Sequence, residues 1–331
     1  MRFGLASAIC GCLGVCGFQW AFAQPGVAPQ ARTYPDKPVR LVVPFAPAGA
    51  GDLFARSVAQ RLRDALNQEI VVENRGGAGG NIGAGYVAKA AADGYTLLLG
   101  NLGVLAINPA LYRDVPFDSV RSFDPISLVG GTPLVLVVHP SVPARSIREL
   151  LALAKARPGS LNYGSAGTGG PTHLAFEMLK TTTGVNIVHV PYKGNVAAIT
   201  SVISGEAHMM ITTILTPLPY MGGGRLRGVA VTTLRRQQAI PDVPTLNESG
   251  VPGFDVSGWY GILAPAGTPR EIVLRLNAEI VRMMQVQEVV DQFVRQGLEL
   301  FSSSGDQFSA KIKSELVKWS KVVKDTRATV D

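Results

Sequence analysis

The chain has 331 residues and a formal net charge of +7, from 31 Lys and Arg against 24 Asp and Glu. Binding to single-stranded nucleic acid requires basic residues interleaved with aromatic ones, whereas the basic residues here are scattered. We therefore predict no nucleic-acid partner. A chain of this length can bury a large core and usually divides into two lobes.

Residues 1–23 have the features of a signal peptide. Arg2 precedes an almost entirely apolar stretch, and Ala21 and Ala23 are small residues at the two positions that signal peptidase reads. We therefore predict export and cleavage after Ala23. The alternative of a membrane helix is disfavoured by the Pro-rich residues 24–33, which we predict to be disordered. A lipid anchor at the lipobox-like Ile9–Cys12 is a weaker alternative, because the apolar region before it is short.

Cysteine usage and hydropathy limit the mature chain further. Cys10, Cys12 and Cys16 all fall inside the signal segment. The mature chain is therefore predicted to have no disulfide, thiol nucleophile or cysteine metal site. After that segment, no apolar run approaches the ~18 residues that span a bilayer. We predict that the mature protein is not membrane-embedded.

Strands and helices alternate in the first part of the mature chain. Asp52 is predicted to be the N-cap of the first helix, because its carboxylate can accept from the next exposed amides. The order β-α-β-α-β predicts parallel strands joined by right-handed crossovers. The predicted elements are a strand over Arg40–Phe45, a helix from Asp52, a strand over Ile70–Val72, a helix over Ile82–Ala91 and a strand over Tyr95–Leu99.

The rest of the chain repeats this alternation with more interruptions. The Pro- and Asp-rich stretch from Asn108 to Pro125 predicts a loop and a short helix, and a second β-α-β series follows it. The predicted strands are Pro133–Val138, Ile187–Val190, His208–Thr212, Leu226–Val231 and Trp259–Leu263. The predicted helices are Ser146–Ala156, Thr172–Thr181, Ala197–Ile203, Pro269–Met284, Val286–Gln296 and Gln307–Val323.

Two stretches, Leu41–Ala55 and Leu161–Leu174, share one pattern, in which an apolar run leads through a glycine-rich turn into a helix. A helix start offers unpaired backbone N–H groups and the positive end of the helix dipole, and glycines allow close approach. We predict that the two turns face each other and hold a small anion. Neither turn carries a Lys to meet a phosphate, so a carboxylate is the favoured ligand.

Catalytic and nucleotide-binding motifs are incomplete. Ser165 lies in a turn that resembles a nucleophile elbow, but Tyr163 stands where that motif needs Gly. A hydrolase using Ser165 remains a minor alternative. Gly83 and Gly85 fit a loose dinucleotide fingerprint but follow a glycine loop, so we interpret them as the close-packed start of a helix. There is no P-loop motif, and we predict no cofactor.

The four histidines have no partner at metal-ligand spacing, so we predict no metal. His173, in the first helical turn after the second glycine loop, is predicted either to reach a ligand or to hold that loop. His189 is predicted to be a hydrogen-bonded core residue in an apolar strand. Trp259 and Tyr260 are interpreted as core or hinge residues, again because their strand is apolar.

From Tyr34 to about Val323 the chain resembles the Bug/TctC family, the periplasmic solute-binding receptors of tripartite tricarboxylate transporters. The resemblance rests on many motifs in the right order rather than on one. They are Tyr34–Phe45, Val72–Gly83, Ala92–Leu98, Ala154–Gly169, His189–Gly194, Leu226–Thr233, Pro241–Gly253 and Trp259–Pro269.

The resemblance implies an α/β, two-lobed periplasmic binding protein fold of type II-like architecture. Each lobe would be a mixed, mostly parallel sheet flanked by helices, with the ligand cleft between them. Residues 34–132 plus 257–331 would form lobe 1 and residues 133–256 lobe 2. The strands Pro133–Val138 and Trp259–Leu263 would cross between the lobes.

The resemblance also implies a monomeric, non-enzymatic periplasmic receptor that captures a small carboxylate and delivers it to the membrane subunits of the transporter. A sensor for a signalling partner is an alternative with the same fold. In the family, first-lobe contacts are partly made through water. The implied ligand-binding residues are Phe45, Ala46, Pro47, Ala48, Gly49, Gly51, Asp52, Asn101, Ser165, Ala166, Gly167, Thr168, Gly169, His173, Thr212 and Thr213.

Two regions depart from the family pattern. His208 stands where the family usually has an acid before an apolar strand, and Ser201 also departs from the usual helix sequence. Ala48 and Ala50 occupy positions where Gly, Ser or Thr are common. Fewer hydroxyl groups in the first turn favour a less polar ligand.

Overall fold

The computed structural model describes residues 34–47, 49–326 and 328. The predicted signal peptide, its cleavage site and residues 24–33 lie outside the described residues, as does Ala48. Within the described part, no helix is both long and apolar enough to cross a bilayer.

The first part of the fold is the predicted β-α-β-α-β unit. Strands β1, β2 and β3 pair in parallel in the order β2-β1-β3, which confirms the predicted direction. Helix α2 ends three residues before the predicted Ala91, because the amides of Lys89 and Ala90 turn back to carbonyls three residues earlier. The elements are β1 (Val39–Val43), α1 (Ala50–Leu66), β2 (Ile70–Asn74), a 3₁₀ turn (Ala78–Gly80), α2 (Asn81–Ala88) and β3 (Thr96–Asn101).

The prediction that Asp52 caps α1 is wrong. The helix begins three residues earlier than that role requires, with Gly49 in an extended conformation as the N-cap and no side-chain cap. Asp52 lies in the first turn, where its carboxylate accepts from Arg56 Nε at 2.9 Å and from Asn74 Nδ2 at 3.0 Å. The carboxylate therefore ties α1 to the end of β2 instead of capping the helix.

After β3 the chain forms a helical segment with π character (Gly103–Ile107), the short helix α3 (Asn108–Leu111) and the 16-residue strand β4 (Phe123–Val138). The predicted loop through Pro125 is therefore wrong from Phe123 onward. The register of β4 against its neighbour shifts just after Pro125 and again before Gly130. Residues that normally break strands are thus accommodated at bulges.

The middle of the chain forms a second parallel group. Strand β5 pairs in parallel with β6 and β7, whereas β8 pairs antiparallel with β4 and does not continue the parallel series. The elements are α4 (Ile147–Ala156), β5 (Asn162–Ser165), α5 (Pro171–Thr183), β6 (Val188–Pro191), α6 (Asn195–Ser204), β7 (Met209–Thr213), α7 (Leu218–Gly222) and β8 (Arg227–Val231).

The last elements return to the first group. They are β9 (Ser257–Pro265), α8 (Arg270–Met283), α9 (Gln287–Arg295) and α10 (Gly305–Thr326). Strand β9 pairs antiparallel with β3 and with β4, and the sheet order is β2-β1-β3-β9-β4-β7-β5-β6. The predicted mixed α/β architecture with flanking helices is confirmed.

Strand β4 connects the two groups of strands. As far as Pro133 it pairs with β9, and from Leu134 onward it pairs with β7 and β8. The core prediction for Trp259 is confirmed, since the side chain is 1% exposed and its ring packs edge-on against Phe308 at 5.6 Å. The two groups of strands are therefore joined by continuous, buried β-structure.

The family departure at His208 has a local structural role. Its Nδ1 lies 2.6 Å from Asn162 Oδ1, and the Asn162 amide donates to the same ring nitrogen at 3.1 Å. The His208 amide in turn donates to Asn162 Oδ1 at 2.8 Å. These contacts join the starts of β5 and β7. Burial lowers the pKa of His208, so a neutral ring makes these contacts where the family pattern has an acid.

Candidate functional site

A cavity of about 380 Å³ opens between the two groups of strands. Both groups contribute to it, since β3 and β9 belong to the first, and β5 and β7 to the second. Its lining comes from residues 101–103 at the end of β3 and just after it, 132 and 134 of β4, 166–168 after β5, 170–172 at the start of α5, 195 at the start of α6, 212–213 of β7, and 258–260 of β9.

Two helix N-termini that follow strands of the second group, those of α5 and α6, line this cavity. Helix α5 has Gly170 as its N-cap, without a side-chain cap, and Pro171 in its first turn. Its Thr172 and His173 amides therefore have no partner inside the helix. Helix α6 begins after Gly194, again without a side-chain cap. The helix dipoles and unpaired amides make this lining attractive to negative charge.

The lining residues are uncharged and include Thr and Asn side chains. The hydroxyl of Thr212 donates to Asn195 Oδ1 at 3.0 Å, and Asn195 Nδ2 donates to Thr216 Oγ1 at 2.8 Å. Thr216 Oγ1 also lies 3.1 Å from Thr213 Oγ1. This chain of hydrogen bonds fixes the orientation of the Asn195 amide at the wall of the cavity.

The opposite wall is organised by Asn101 and Tyr260. The side chain of Asn101 accepts from the Val104 amide at 2.9 Å, which caps the helical segment that follows β3. Burial raises the pKa of Tyr260 to about 12, although a hydrogen bond with Asn101 acts in the opposite direction. Tyr260 is therefore a neutral phenol at physiological pH.

The loop between β5 and α5 is held by buried side chains behind it. Ser165 Oγ lies 2.7 Å from His189 Nε2 and accepts from the Gly167 amide at 3.2 Å. His173 Nδ1 accepts from the Gly169 amide at 3.1 Å. The helix side chain thus satisfies a backbone donor just before its own helix, much as the acidic residue of a capping box does. The predicted loop-holding role of His173 is confirmed.

Burial determines the protonation of these histidines. It lowers the pKa of His173, and it lowers the pKa of His189 to about 4, with His173 as a further cause. The two rings are 4.1 Å apart between centroids. For Glu177, burial raises the pKa, but hydrogen bonds from Lys180 and Tyr163 outweigh it and the net shift is downward. Both histidines are therefore neutral at physiological pH, and Glu177 is ionised.

The structure brings some of the predicted site residues to the cavity and places others elsewhere. Ser165 and His173 lie behind the second loop, and Gly169 is the residue of that loop that His173 holds. Gly49, Gly51 and Asp52 belong to the start of α1. Ala48 lies outside the described residues. The predicted residues that line the cavity are Asn101, Ala166, Gly167, Thr168, Thr212 and Thr213.

The first predicted loop lines a separate depression. Phe45, Ala46 and Pro47 border a space of about 430 Å³ together with the glycines at 76, 77, 79 and 80. A Cβ placed on Gly51 would lie 3.2 Å from both the Phe45 and the Tyr260 rings. The aromatic ring of Tyr260 therefore stands between the start of α1 and the main cavity.

Comparisons with known proteins identify the family. The family model described as "Tripartite tricarboxylate transporter family receptor", TctC, matches residues 54–327. The chain belongs to the TctC family. It is 38% identical to the protein BugT of Bordetella pertussis over 317 residues, which cover 96% of this chain and 97% of that protein.

Solved structures resemble this TctC-family chain over most of its length. Rpa4515 of Rhodopseudomonas palustris, solved with adipate, is 36% identical with a TM-score of 0.78 and covers 89% of this chain and 99% of its own. MatC from the same organism, solved with bound malate, is 30% identical with a TM-score of 0.73. The match covers 88% of this chain and 100% of MatC. BugD, described as a periplasmic binding protein, is 33% identical with a TM-score of 0.74. The match covers 89% of this chain and 99% of BugD.

Several cavity residues of this TctC-family protein were missed by the sequence analysis. Thr132, Thr172, Asn195 and Gly258 were not singled out, and Trp259 and Tyr260 were interpreted only as core or hinge residues. A usable signal existed for Asn195, because it follows Gly194 just after a parallel strand. Ligands in open α/β sheets bind beyond the carboxyl ends of such strands.

Proposed function

We propose that this TctC-family protein is an extracytoplasmic receptor that captures a small carboxylate and delivers it to the membrane subunits of a tripartite tricarboxylate-type transporter. It would be exported by residues 1–23, cleaved after Ala23 and act in the periplasm as a monomer without catalysing a reaction. Residues 34–132 with 257–331 would form one lobe and residues 133–256 the other, closing around the ligand.

The observation that carries this proposal is the chemistry of the 380 Å³ cavity. Uncapped N-termini of α5 and α6 face it, and its lining residues include no acidic side chain that would repel an anion. Backbone amides bind a carboxylate through charge-assisted hydrogen bonds without a counter-charged side chain. The relatives solved with adipate and malate bind molecules of this class.

We propose unequal roles for the two glycine-rich loops. The loop at Ala166–Thr168 lines the cavity and would contact the carboxylate directly. The loop at Phe45–Pro47 borders a separate depression, and the Asp52 carboxylate occupies the first turn of α1. Water between that loop and the ligand would avoid direct contact between two negative charges. Gly49 and Gly51 would then contribute backbone groups to this water-mediated contact.

One observation favours a second candidate, a hydrolase using Ser165, because its hydroxyl lies 2.7 Å from His189 Nε2. Three features oppose it. Ser165 is 1% exposed and lies behind the loop instead of lining the cavity. Burial lowers the pKa of His189 to about 4, so its imidazole is a weak general base at neutral pH. Glu177, the nearby carboxylate, bonds to Tyr163 and Lys180.

The receptor proposal is tested by thermal shift and calorimetry with a panel that includes adipate, malate, benzoate and the neutral amide of adipate. A ligand at 100 times its Kd should add about 2.7 kcal/mol of stability. We expect stabilisation by at least one carboxylate, no effect of the amide, and no product by mass spectrometry. Binding of the amide as tightly as its acid would contradict a carboxylate receptor.

The hydrolase is tested separately with Ser165→Ala in an esterase assay. Equal background rates for both proteins are expected from a receptor. An activity of the natural protein that this substitution abolishes would support the hydrolase. Delivery is tested by adding the purified receptor to vesicles that contain the transporter membrane subunits, where uptake of the bound acid should depend on the receptor.

A further inference from the structure

The second loop is built so that its shape depends on the protonation state of one buried ring. The Gly169 amide donates to His173 Nδ1 at 3.1 Å, and His173 is 5% exposed. Only an imidazole that carries its proton on Nε2 has a lone pair on Nδ1 to accept that bond. A second proton would set two N–H donors against each other.

The surroundings contain a limited set of groups that could offset such a charge. His189 on β6 lies 4.1 Å from His173 between ring centroids, and Tyr163 on β5 stacks on both rings. On α5 itself, Glu177 would favour an imidazolium and Lys180 would oppose it. Lys180 Nζ bonds to Glu177 Oε1 at 2.7 Å, so the two charges largely cancel.

The second histidine is connected to the same loop. His189 Nε2 contacts Ser165 Oγ, which also accepts from the Gly167 amide. Two imidazolium rings this close would repel each other, so the pair takes up protons as a coupled unit. Gly167, which these bonds hold in place, lines the cavity together with its neighbours Ala166 and Thr168.

We propose that the neutral His173–His189 pair is a pH-sensitive latch that positions the second loop for ligand binding and releases it in acid. This inference rests on the proposed function for its consequence, which is release of the carboxylate. The latch itself concerns the ligand-free protein as well. His173 is a positioning residue, since it acts through the Gly169 amide and does not line the cavity.

The substitution His173→Asn separates the latch from a merely structural role. Its side-chain oxygen can take the place of Nδ1 as an acceptor and does not titrate. His173→Leu removes the acceptor altogether, and His139→Asn, at a histidine that bonds to Ser141 elsewhere in the fold, is the matched control.

The ligand-free test is hydrogen exchange of a peptide covering Ser165–His173, corrected for intrinsic rates, at pH 7.5 and pH 4. A histidine is half protonated at a pH equal to its pKa, and burial lowers the pKa of His189 to about 4. We therefore expect protection of this peptide to fall by ~2-fold or more at pH 4 in the natural protein and in His139→Asn, while a β4 peptide stays protected. In His173→Asn the protection should be the same at both pH values, and His173→Leu should be poorly protected at both.

The ligand-bound test is the Kd of adipate for the natural protein and His173→Asn at both pH values. Dividing the Kd of the natural protein by that of His173→Asn at the same pH cancels the protonation of adipate itself. This ratio should be ~2-fold or more higher at pH 4 than at pH 7.5. Identical exchange profiles for the two proteins would overturn the latch. If the exchange pattern appears but none of the panel acids binds at pH 7.5, the latch stands and the receptor proposal fails.

Discussion

Gly170 is the position at which folding and ligand binding make opposite demands. It is the N-cap of α5, with φ −70° and ψ 162°, and no side chain caps the helix. These angles suit Asp, and a Cβ here would meet only the Gly167 carbonyl oxygen, at 3.8 Å. The substitution Gly170→Asp should therefore fit without strain and place a carboxylate at the amides of Thr172 and His173.

The two effects of Gly170→Asp have opposite signs. The cap and its interaction with the helix dipole should stabilise the fold by ~0.5–1 kcal/mol, which corresponds to a Tm higher by about 1–4 °C. A ligand carboxylate about 5 Å from the new charge would be repelled by ~3 kcal/mol at an effective dielectric constant of about 20. That repulsion weakens binding about 100-fold.

The assay is thermal unfolding without ligand, followed by calorimetry with whichever panel carboxylate binds the natural protein. Gly170→Asn is the matched control, since it supplies the cap without the charge and should weaken binding only about tenfold by occupying the same amides. A Gly170→Asp protein that binds the carboxylate with natural affinity would refute the assignment of the anion site to the start of α5.

Three further predictions follow from the contacts. Gly130 has φ +150°, and a Cβ there would overlap the Glu299 carbonyl oxygen, so Gly130→Ala should lower the free energy of unfolding by ~3 kcal/mol in urea titrations. The control Gly184→Ala, whose Cβ meets nothing within 4 Å, should lower it by only ~1 kcal/mol. Burial lowers the pKa of His189 from 6.5 to about 4, so its contribution to stability is intact above pH 6.5 and is lost as pH falls toward 4. In His189→Gln this acid-dependent loss, on the order of 1 kcal/mol after allowing for partial exposure, should be absent from denaturation curves. Thr212→Val removes the hydroxyl that donates to Asn195 and should raise the Kd of the carboxylate by ~5–10-fold in calorimetry, with unchanged affinity contradicting a role for that wall.

The sequence was sufficient to predict elements whose signals are local. The parallel β1, β2 and β3 follow from apolar runs separated by amphipathic helices. The helix predicted over Ser146–Ala156 is α4, and the structure makes Ser146 its N-cap. The close-packed interpretation of Gly83 is also confirmed, since a Cβ there would lie 2.6 Å from the Arg75 carbonyl oxygen.

The elements that sequence reasoning missed depend on distant partners. Proline breaks most strands, but here Pro125 of β4 pairs with Leu263 of β9, 138 residues later in the chain, and a bulge just after Pro125 accommodates it. The start of α1 was misplaced because Asp52 is a good N-cap residue by type, whereas its partners Arg56 and Asn74 are set by tertiary structure.

The candidate site likewise contains residues that local sequence predicts and contacts that depend on distant parts of the chain. Ala166–Thr168 were predicted from a local glycine pattern and line the cavity. The separation of the first loop from that cavity could not be predicted, because it depends on the ring of Tyr260 from β9. The Ser165–His189 contact likewise joins two strands, and no spacing in the sequence selects His189 among the four histidines.

The central claim is that helix N-termini in the cavity hold a carboxylate. The most direct test is a crystal structure of the protein with a bound panel carboxylate. We predict carboxylate oxygens within hydrogen-bonding distance of the Thr172 and His173 amides at the start of α5, inside the cavity that Asn195 and Tyr260 also line. A carboxylate seated instead in the depression at Phe45–Pro47, with the main cavity empty, would contradict the account.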